Sequence, residues 1–110
     1  MKYILLLTLF ISGFSSSVHA QVTPPLKLTV IGCHTNNNTC YVSIAGDPVG
    51  NANCQSTSIR WDVETTPNGE RALAMLTSAF YAGKKVQFAI PDYTCHGAHP
   101  TFSYFNIFQE

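Results

Sequence analysis

Cysteine and histidine stand next to each other twice in the sequence, and these are the residues best suited to chemistry. The pairs are Cys33-His34 and Cys95-His96, and His99 follows in the segment CHGAH. Thiolate and imidazole are the usual protein ligands of zinc. In an exported chain, however, cysteines are oxidised to disulfides and are no longer free to hold a metal. Because the leader described below indicates export, and two histidines alone hold a metal weakly, we expect no metal site and no cofactor.

Paired carboxylates offer a second chemistry. Asp62 and Glu64 lie two residues apart, on the same face of a predicted strand as Arg60. Two carboxyl groups can divide acid and base roles in catalysis, but this pattern is more typical of a solvated strand face with weak ion pairs. The sequence contains neither a Gly-rich phosphate loop nor a GxSxG nucleophile motif. We therefore assign no catalytic residue and expect a protein that binds rather than an enzyme.

A third set combines amides, hydroxyls and aromatic rings in and near two polar loops. Sugar sites use a flat ring for the C–H face of the sugar and a few hydrogen-bonding groups for its hydroxyls. The alternative is an ordinary polar surface near loops. The candidate ligand-binding residues are Asn36, Asn37, Tyr41, Ser43, Tyr93 and His96.

The first twenty residues are typical of a secretory signal peptide. Lys2 supplies a positive charge, the apolar run YILLLTLFI follows, and a small-x-small cleavage pattern ends at Ala20. The apolar run is shorter than the roughly 20 residues that a helix needs to cross a bilayer. We predict a signal peptide over residues 1–20, one domain over residues 21–110, and a secreted or periplasmic protein without membrane insertion.

All four cysteines follow this leader. An even number in a short exported chain predicts two disulfides, and four cysteines allow three pairings. Cys33 and Cys40 flank one hairpin loop, whereas Cys54 precedes the third predicted strand and Cys95 follows the fourth. If those two strands run antiparallel, the latter two cysteines lie at the same end of the sheet. We therefore favour the pairs Cys33–Cys40 and Cys54–Cys95.

The charge of residues 21–110 is close to balanced, with five Lys or Arg against six Asp or Glu. No basic stripe is present, so we expect no nucleic-acid partner. No polybasic segment is present that would attract anionic lipid. A surface of this composition suits neutral polar ligands or other protein subunits.

Alternation of apolar residues predicts five strands, and one helical stripe predicts a single helix between the third and the fourth. Thr66 is placed to cap the helix with Pro67 in its first turn, and Gly83 is placed to end it. The apolar stripe of the helix contains Leu73, Leu76 and Phe80, with Ala72, Met75 and Ala79 beside it. The predicted strands cover residues 26–33, 40–46, 58–64, 85–91 and 101–108.

Two of these strands carry more detailed expectations. In the first strand, Leu26, Leu28 and Val30 are expected on the buried side. The last strand is aromatic on both faces, so we expect both faces to be covered. If it lies at an edge instead, it can pair with a neighbouring chain.

The order strand, strand, strand, helix, strand, strand is that of the five-stranded OB barrel. We therefore predict an all-β domain with one helix, in which the apolar side of the helix covers an open end of an OB-type barrel. The alternative is an open α+β sheet with the helix across one face.

The sequence resembles the B subunits of subtilase-cytotoxin-like and pertussis-like AB5 toxins. The resemblance rests on the signal peptide, the Cys-flanked hairpin, the SIRW strand, the helix and strand LTSAFYAGKKVQFAI and the late cysteine. The segment RWDVETTPNG also resembles small secreted proteobacterial proteins of unknown function. The toxin resemblance implies an OB fold, a homopentameric ring, binding of sialylated host glycans and a catalytic A subunit as partner. The serine-containing segment used for sugar by those lectins does not align, so no glycan-binding residue is carried over.

These observations leave three hypotheses for function. The first is a carbohydrate-binding module similar to a toxin B subunit. The second is a secreted inhibitor or protein–protein interaction domain. The third is a small hydrolase, which the absence of a catalytic motif in the sequence disfavours.

Overall fold

The computed structural model describes residues 21–110, and the predicted signal peptide over residues 1–20 lies outside the described residues. All five predicted strands and the predicted helix are present, and three strands of two residues each are additional. The elements are β1 (Gln21–Val22), β2 (Leu26–Cys33), β3 (Thr39–Ile44), β4 (Ser58–Asp62), α1 (Gly69–Ala82), β5 (Lys85–Ile90), β6 (Cys95–His96), β7 (His99–Pro100) and β8 (Tyr104–Phe108).

The long strands form one antiparallel sheet in the order β4-β3-β2-β5-β8. Strand β1 pairs with the end of β5, on the edge that β2 uses at the beginning of β5. Pro24 and Pro25 lie between β1 and β2. A proline has no amide hydrogen to donate to a strand ladder, so the strand is interrupted here. Thr23 bridges the gap, since its hydroxyl oxygen accepts the amide hydrogen of Phe88 at 3.0 Å.

The predicted burial of Val30 is wrong, and a β-bulge is the reason. The register of β2 against β3 shifts between Leu28, opposite Ile44, and Val30, opposite Ser43. One extra residue in a strand reverses the sides that the following residues face. Val30 is therefore 44% exposed, whereas Ile31 packs against the core.

The helix begins later than predicted. The backbone carbonyl oxygen of Thr66 accepts the amide hydrogen of Gly69 at 2.8 Å in a turn. Asn68 occupies the N-cap position with a left-handed backbone (φ 60°) and no side-chain cap. Asn tolerates this conformation better than most residues. Gly69 is required here, because a Cβ at this position would lie 2.4 Å from the carbonyl oxygen of Val63.

The helix ends where the sequence predicts. Gly83 is left-handed (φ 67°), and its amide donates to the carbonyl oxygen of Phe80. The next amide, that of Lys84, donates to the carbonyl oxygen of Ala79 at 3.0 Å. These two bonds form a Schellman motif, which satisfies carbonyl groups that the last turn leaves without partners.

The apolar side of α1 lies against the sheet, in contact with β2. Leu76 is fully buried, and Leu73 and Phe80 pack against the core with part of their surface exposed. Met75 belongs to the predicted stripe but is 46% exposed. The core beneath the helix consists mainly of Val42, Ile59, Trp61, Val86, Phe88 and Ile90.

The sheet is not closed into a hydrogen-bonded barrel. Within residues 21–110, no ladder joins the two end strands, β4 and β8. Instead Trp61 of β4 meets Phe102, just before β8, edge to face with 5.2 Å between the ring centroids. The expectation that both faces of the last strand are covered is also wrong. Phe105 and Ile107 pack against the core, whereas Tyr104 is 52% exposed.

Both predicted disulfides are present, between Cys33 and Cys40 and between Cys54 and Cys95. The first joins directly opposite residues at the end of the β2–β3 hairpin. The second ties the segment before β4 to the short hairpin β6–β7. In residues 21–110, no helix has the length and apolarity that a membrane crossing would need.

Replacement of Leu76 tests whether the buried side of α1 supports the fold. We expect Leu76→Ala to lower the free energy of unfolding by about 2–5 kcal/mol, because it opens a cavity between helix and sheet. The matched control is Met75→Ala on the exposed side, which should change the free energy by about 0.5 kcal/mol or less. Urea denaturation of the oxidised protein measures both, and equal losses would contradict this packing.

Candidate functional site

The outward surface of β3 and β4 carries polar side chains at alternate positions, because every second residue points into the core. The outward residues are directly paired across the two strands: Thr39 with Asp62, Tyr41 with Arg60, and Ser43 with Ser58. Residues between them, such as Val42, Ile59 and Trp61, are buried. The inner side therefore holds the fold. On the outer side Thr39 is buried, and the half-buried residues beside it present serine hydroxyl, phenol and guanidinium groups.

Tyr41 and Arg60 form the centre of this surface. The guanidinium carbon of Arg60 lies 4.9 Å from the centroid of the Tyr41 ring, within cation–π distance. Arg60 also donates from Nε to the hydroxyl of Ser58 at 3.1 Å. On the neighbouring strand, Gly32 leaves the space that the Tyr41 ring occupies, since a Cβ there would lie 2.8 Å from the phenol oxygen. Tyr41 is thus held by contacts with the strands on both sides, and Arg60 by Tyr41 and by Ser58 of its own strand.

The loop between β2 and β3 places His34 beside Tyr41. Their ring centroids are 5.8 Å apart. The side-chain oxygen of Asn37 accepts the amide hydrogen of Thr39 at 2.9 Å and lies 3.1 Å from Nδ1 of His34. Because this oxygen can only accept, Nδ1 of His34 must donate the hydrogen. Asn37 therefore fixes both the loop and the orientation of the imidazole.

The short hairpin β6–β7 brings two further histidines to the same surface. His96 and His99 are paired across the hairpin, and β7 packs against β4. Nε2 of His96 lies 3.0 Å from the hydroxyl of Thr39, which is 57 residues away in sequence. We call the group of His34, Tyr41, Arg60, His96 and His99 the histidine face.

Two pKa shifts report the electrostatics of this surface. Partial burial lowers the pKa of His99 from its usual 6.5, and the positive charges of Arg60, His96 and His34 lower it further. The pKa of Asp62 is lowered mainly by the backbone amide of Thr65, with a smaller contribution from the charge of His96. The side-chain oxygen of Asp62 accepts the amides of Glu64 and Thr65 at 2.9 and 2.8 Å, so this carboxylate mainly forms the turn after β4.

The six predicted ligand-binding residues are brought together only in part. Tyr41 and His96 belong to the histidine face, Ser43 lies two residues from Tyr41 on the same surface, and Asn37 supports the loop. Asn36 is exposed on that loop but makes no described hydrogen bond. Tyr93 is 74% exposed on a separate segment, next to Asp92, whose carbonyl oxygen accepts a hydrogen bond from Asn51.

Sequence reasoning missed the role of Arg60, which it assigned to a solvated strand face. The period-2 pattern places Arg60 outward correctly, but its partner depends on the register between β3 and β4. The intervening connection of 13 residues does not fix that register, because only short hairpin loops determine the pairing of their strands.

The three imidazoles of the histidine face do not converge as metal ligands would. Among residues 21–110, no group of three or more His, Cys, Asp or Glu side chains has an arrangement suited to a metal ion. What the face offers is imidazole, phenol and guanidinium groups, in which Tyr41 contacts both Arg60 and His34 and His96 contacts Thr39.

A concave surface lies elsewhere, between α1 and the segment before β8. It is a groove of about 260 Å³, lined by residues that include Arg71, Met75, Phe102 and Tyr104. It is mostly apolar and lies on a different part of the chain from the histidine face.

Comparison with protein-family models, with curated proteins and with solved structures finds no match to this chain.

Replacement of His99 tests the electrostatics of the histidine face through stability. Because the pKa of His99 is lowered on folding, the unfolded chain binds the proton more tightly than the folded chain. The stability of the folded chain that depends on a neutral His99 is fully present above the ordinary pKa of 6.5. It is lost as the pH falls through the lower pKa that His99 has in the folded chain. We expect the wild type to lose more unfolding free energy than His99→Gln between about pH 7.5 and about pH 5.5. Urea midpoints at both pH values measure this, and identical losses would show that His99 does not titrate abnormally.

Proposed function

We propose that this chain is an exported carbohydrate-binding module that uses the outer surface of β3 and β4. The observation that carries the proposal is the convergence of Tyr41, Arg60, His34 and His96 on one side of two paired strands. Aromatic rings and fixed donors are what a sugar site requires, the ring for C–H faces and the donors for hydroxyls. The two disulfides support export, because such bonds persist in oxidising compartments.

We further propose that the fold is of the OB type. Support comes from the strand order β4-β3-β2-β5-β8 with the helix between β4 and β5 in the chain. In OB folds the second and third strands, and the loops after the first and fourth strands, bind oligosaccharides and oligonucleotides. Counting only the long strands, these correspond here to β3, β4, residues 34–38 and residues 91–103. The histidine face draws all its residues from these four parts.

The resemblance to AB5 toxin B subunits adds two proposals about partners, a ring of five copies and a catalytic A subunit. The structure offers sheet edges suited to self-association, since β4 and β8 each pair on one side only within residues 21–110. An unpaired edge can add a strand from a neighbouring chain.

A protein–protein interaction domain is the second candidate function. The groove between α1 and the segment before β8 favours it, because Met75 and Tyr104 are exposed there beside Arg71. Exposed apolar surface rimmed by charge is typical of contacts with other proteins. The two candidates use different surfaces and can be separated by substitution.

Glycan-array binding by the folded protein tests the first candidate. We expect Tyr41→Ala to abolish binding, because it removes the ring that Arg60 and His34 contact. The matched control is Tyr81→Ala on the exposed side of α1, where the tyrosine is 79% exposed, and it should bind as the wild type does. Absence of wild-type signal across neutral, sialylated and sulfated glycans would overturn the carbohydrate proposal.

The molar mass in solution tests the proposed ring. A homopentamer should give five times the mass of one chain by light scattering after size exclusion, with both disulfides oxidised. A mass equal to one chain at all concentrations would remove the ring and, with it, the support that the toxin resemblance gives to the function.

A further inference from the structure

We infer that the histidine face is a subsite for a single oxyanion group, a carboxylate, sulfate or phosphate, which it binds more tightly as its histidines become protonated. The inference deepens the proposed function, because it names the chemical class of group that the same surface would hold. It predicts a ligand affinity that increases as the pH falls.

The concentration of titratable charge on this surface is the first argument. The sequence has four histidines, and His19 belongs to the predicted signal peptide. Each of the other three, His34, His96 and His99, lies on the histidine face. Histidine is the side chain whose charge normally changes between about pH 5 and pH 8. Acidification therefore adds positive charge to one small area of an otherwise nearly neutral domain.

Charged and polar groups on the surrounding elements modify the effect of the positive charge that the histidines gain. Arg60 of β4 is permanently positive, whereas Asp62 of β4 is a carboxylate whose pKa the charge of His96 lowers. Thr39 and Tyr41 of β3 contribute a hydroxyl and a phenol. Asp62 is already occupied by two backbone amides, so it compensates the added charge only in part.

Disulfides restrain the backbone beside two of the three histidines. His34 follows Cys33 and His96 follows Cys95, and each of these cysteines is in a disulfide. The contact between His96 and Thr39 also survives protonation, because the threonine hydroxyl can either donate to a neutral imidazole nitrogen or accept from a protonated one. Since these positive groups stay near one another and Asp62 compensates them only in part, an anion bound among them would lower their repulsion.

The geometry around Arg60 provides the fixed donor for such an anion. Its guanidinium is oriented by the Tyr41 ring at 4.9 Å and by the Ser58 hydroxyl at 3.1 Å. A guanidinium gives paired, charge-assisted hydrogen bonds to carboxylate, sulfate and phosphate oxygens. His99 is paired with His96 across the β6–β7 hairpin, and the positive charges of Arg60, His96 and His34 all lower the pKa of His99. An anion placed among them would raise that pKa, and by linkage protonation would tighten anion binding.

Titration with sodium sulfate tests the inference, because sulfate keeps its charge across the relevant pH range. The measurement is the proton–carbon NMR spectrum of the imidazole rings of the folded, oxidised protein, with ionic strength held constant by sodium chloride. We expect saturable shifts of all three rings at about pH 5.5, and an affinity at about pH 7.5 that is weaker by about tenfold or more. Sulfate should also raise the measured pKa of His99 in the wild type.

A matched pair of variants locates the site. We expect Arg60→Gln to weaken sulfate binding by about tenfold or more, and Arg71→Gln, which removes the same charge from α1, to leave it unchanged. The far-ultraviolet circular dichroism spectrum checks that both variants fold. Equal affinity at the two pH values, unsaturable shifts, or equal effects of the two variants would overturn the inference. The wild-type pKa measurement decides the matter even if Arg60→Gln does not fold.

Three ligands distinguish a free anion from an anionic group on a sugar. They are inorganic sulfate, N-acetylglucosamine 6-sulfate and N-acetylglucosamine itself. Tighter binding of the sulfated sugar than of either of the others supports both the subsite and the carbohydrate proposal. Binding of sulfate with no gain from the sugar supports the subsite and counts against the carbohydrate proposal. Binding of the unsulfated sugar alone would overturn the subsite and leave the proposed function standing.

Discussion

The contacts of Trp61 hold together the parts of the fold that the hydrogen-bonded sheet leaves separate. Its indole nitrogen donates to the carbonyl oxygen of Gly69 at 3.0 Å, which ties the start of α1 to β4. Its ring packs edge to face on Phe102, which ties β4 to the segment before β8. A buried indole needs a partner for its N–H, and such an aromatic pair contributes about 0.5–1.5 kcal/mol beyond area burial. Because no ladder joins β4 to β8 in residues 21–110, this side chain takes the place of the missing strand pairing.

The position of Trp61 also determines what β4 presents to solvent. Since alternate residues point to opposite sides, burial of Ile59 and Trp61 places Arg60 outward, opposite Tyr41. The same core contact that stabilises the domain therefore orients the guanidinium at the centre of the histidine face. Covalent bonds complete the arrangement, because two of the histidines are sequence neighbours of disulfide-bonded cysteines. A small core and a preorganised surface thus depend on the same few residues.

Local patterns in the sequence predicted those elements whose cause is local. Alternation defined the long strands, and Gly83 marked the end of α1 because a glycine there adopts the left-handed conformation that closes a helix. The start of α1 was predicted two residues too early, since Asn68 rather than Thr66 occupies the N-cap position. Val30 was assigned to the wrong side because a bulge depends on the partner strand, which the strand's own sequence does not describe.

The sequence by itself determined the helix after the third long strand, the long strands and an even set of cysteines suited to two disulfides. Each of these follows from spacing along the chain or from the chemistry of one residue type. Only the tertiary structure decided that Arg60 lies over Tyr41 and that His96 reaches Thr39 across 57 residues. These contacts depend on strand register, on one bulge in β2 and on the β6–β7 hairpin, which packs against β4. These arise from packing between distant segments, because no short stretch of sequence contains both partners.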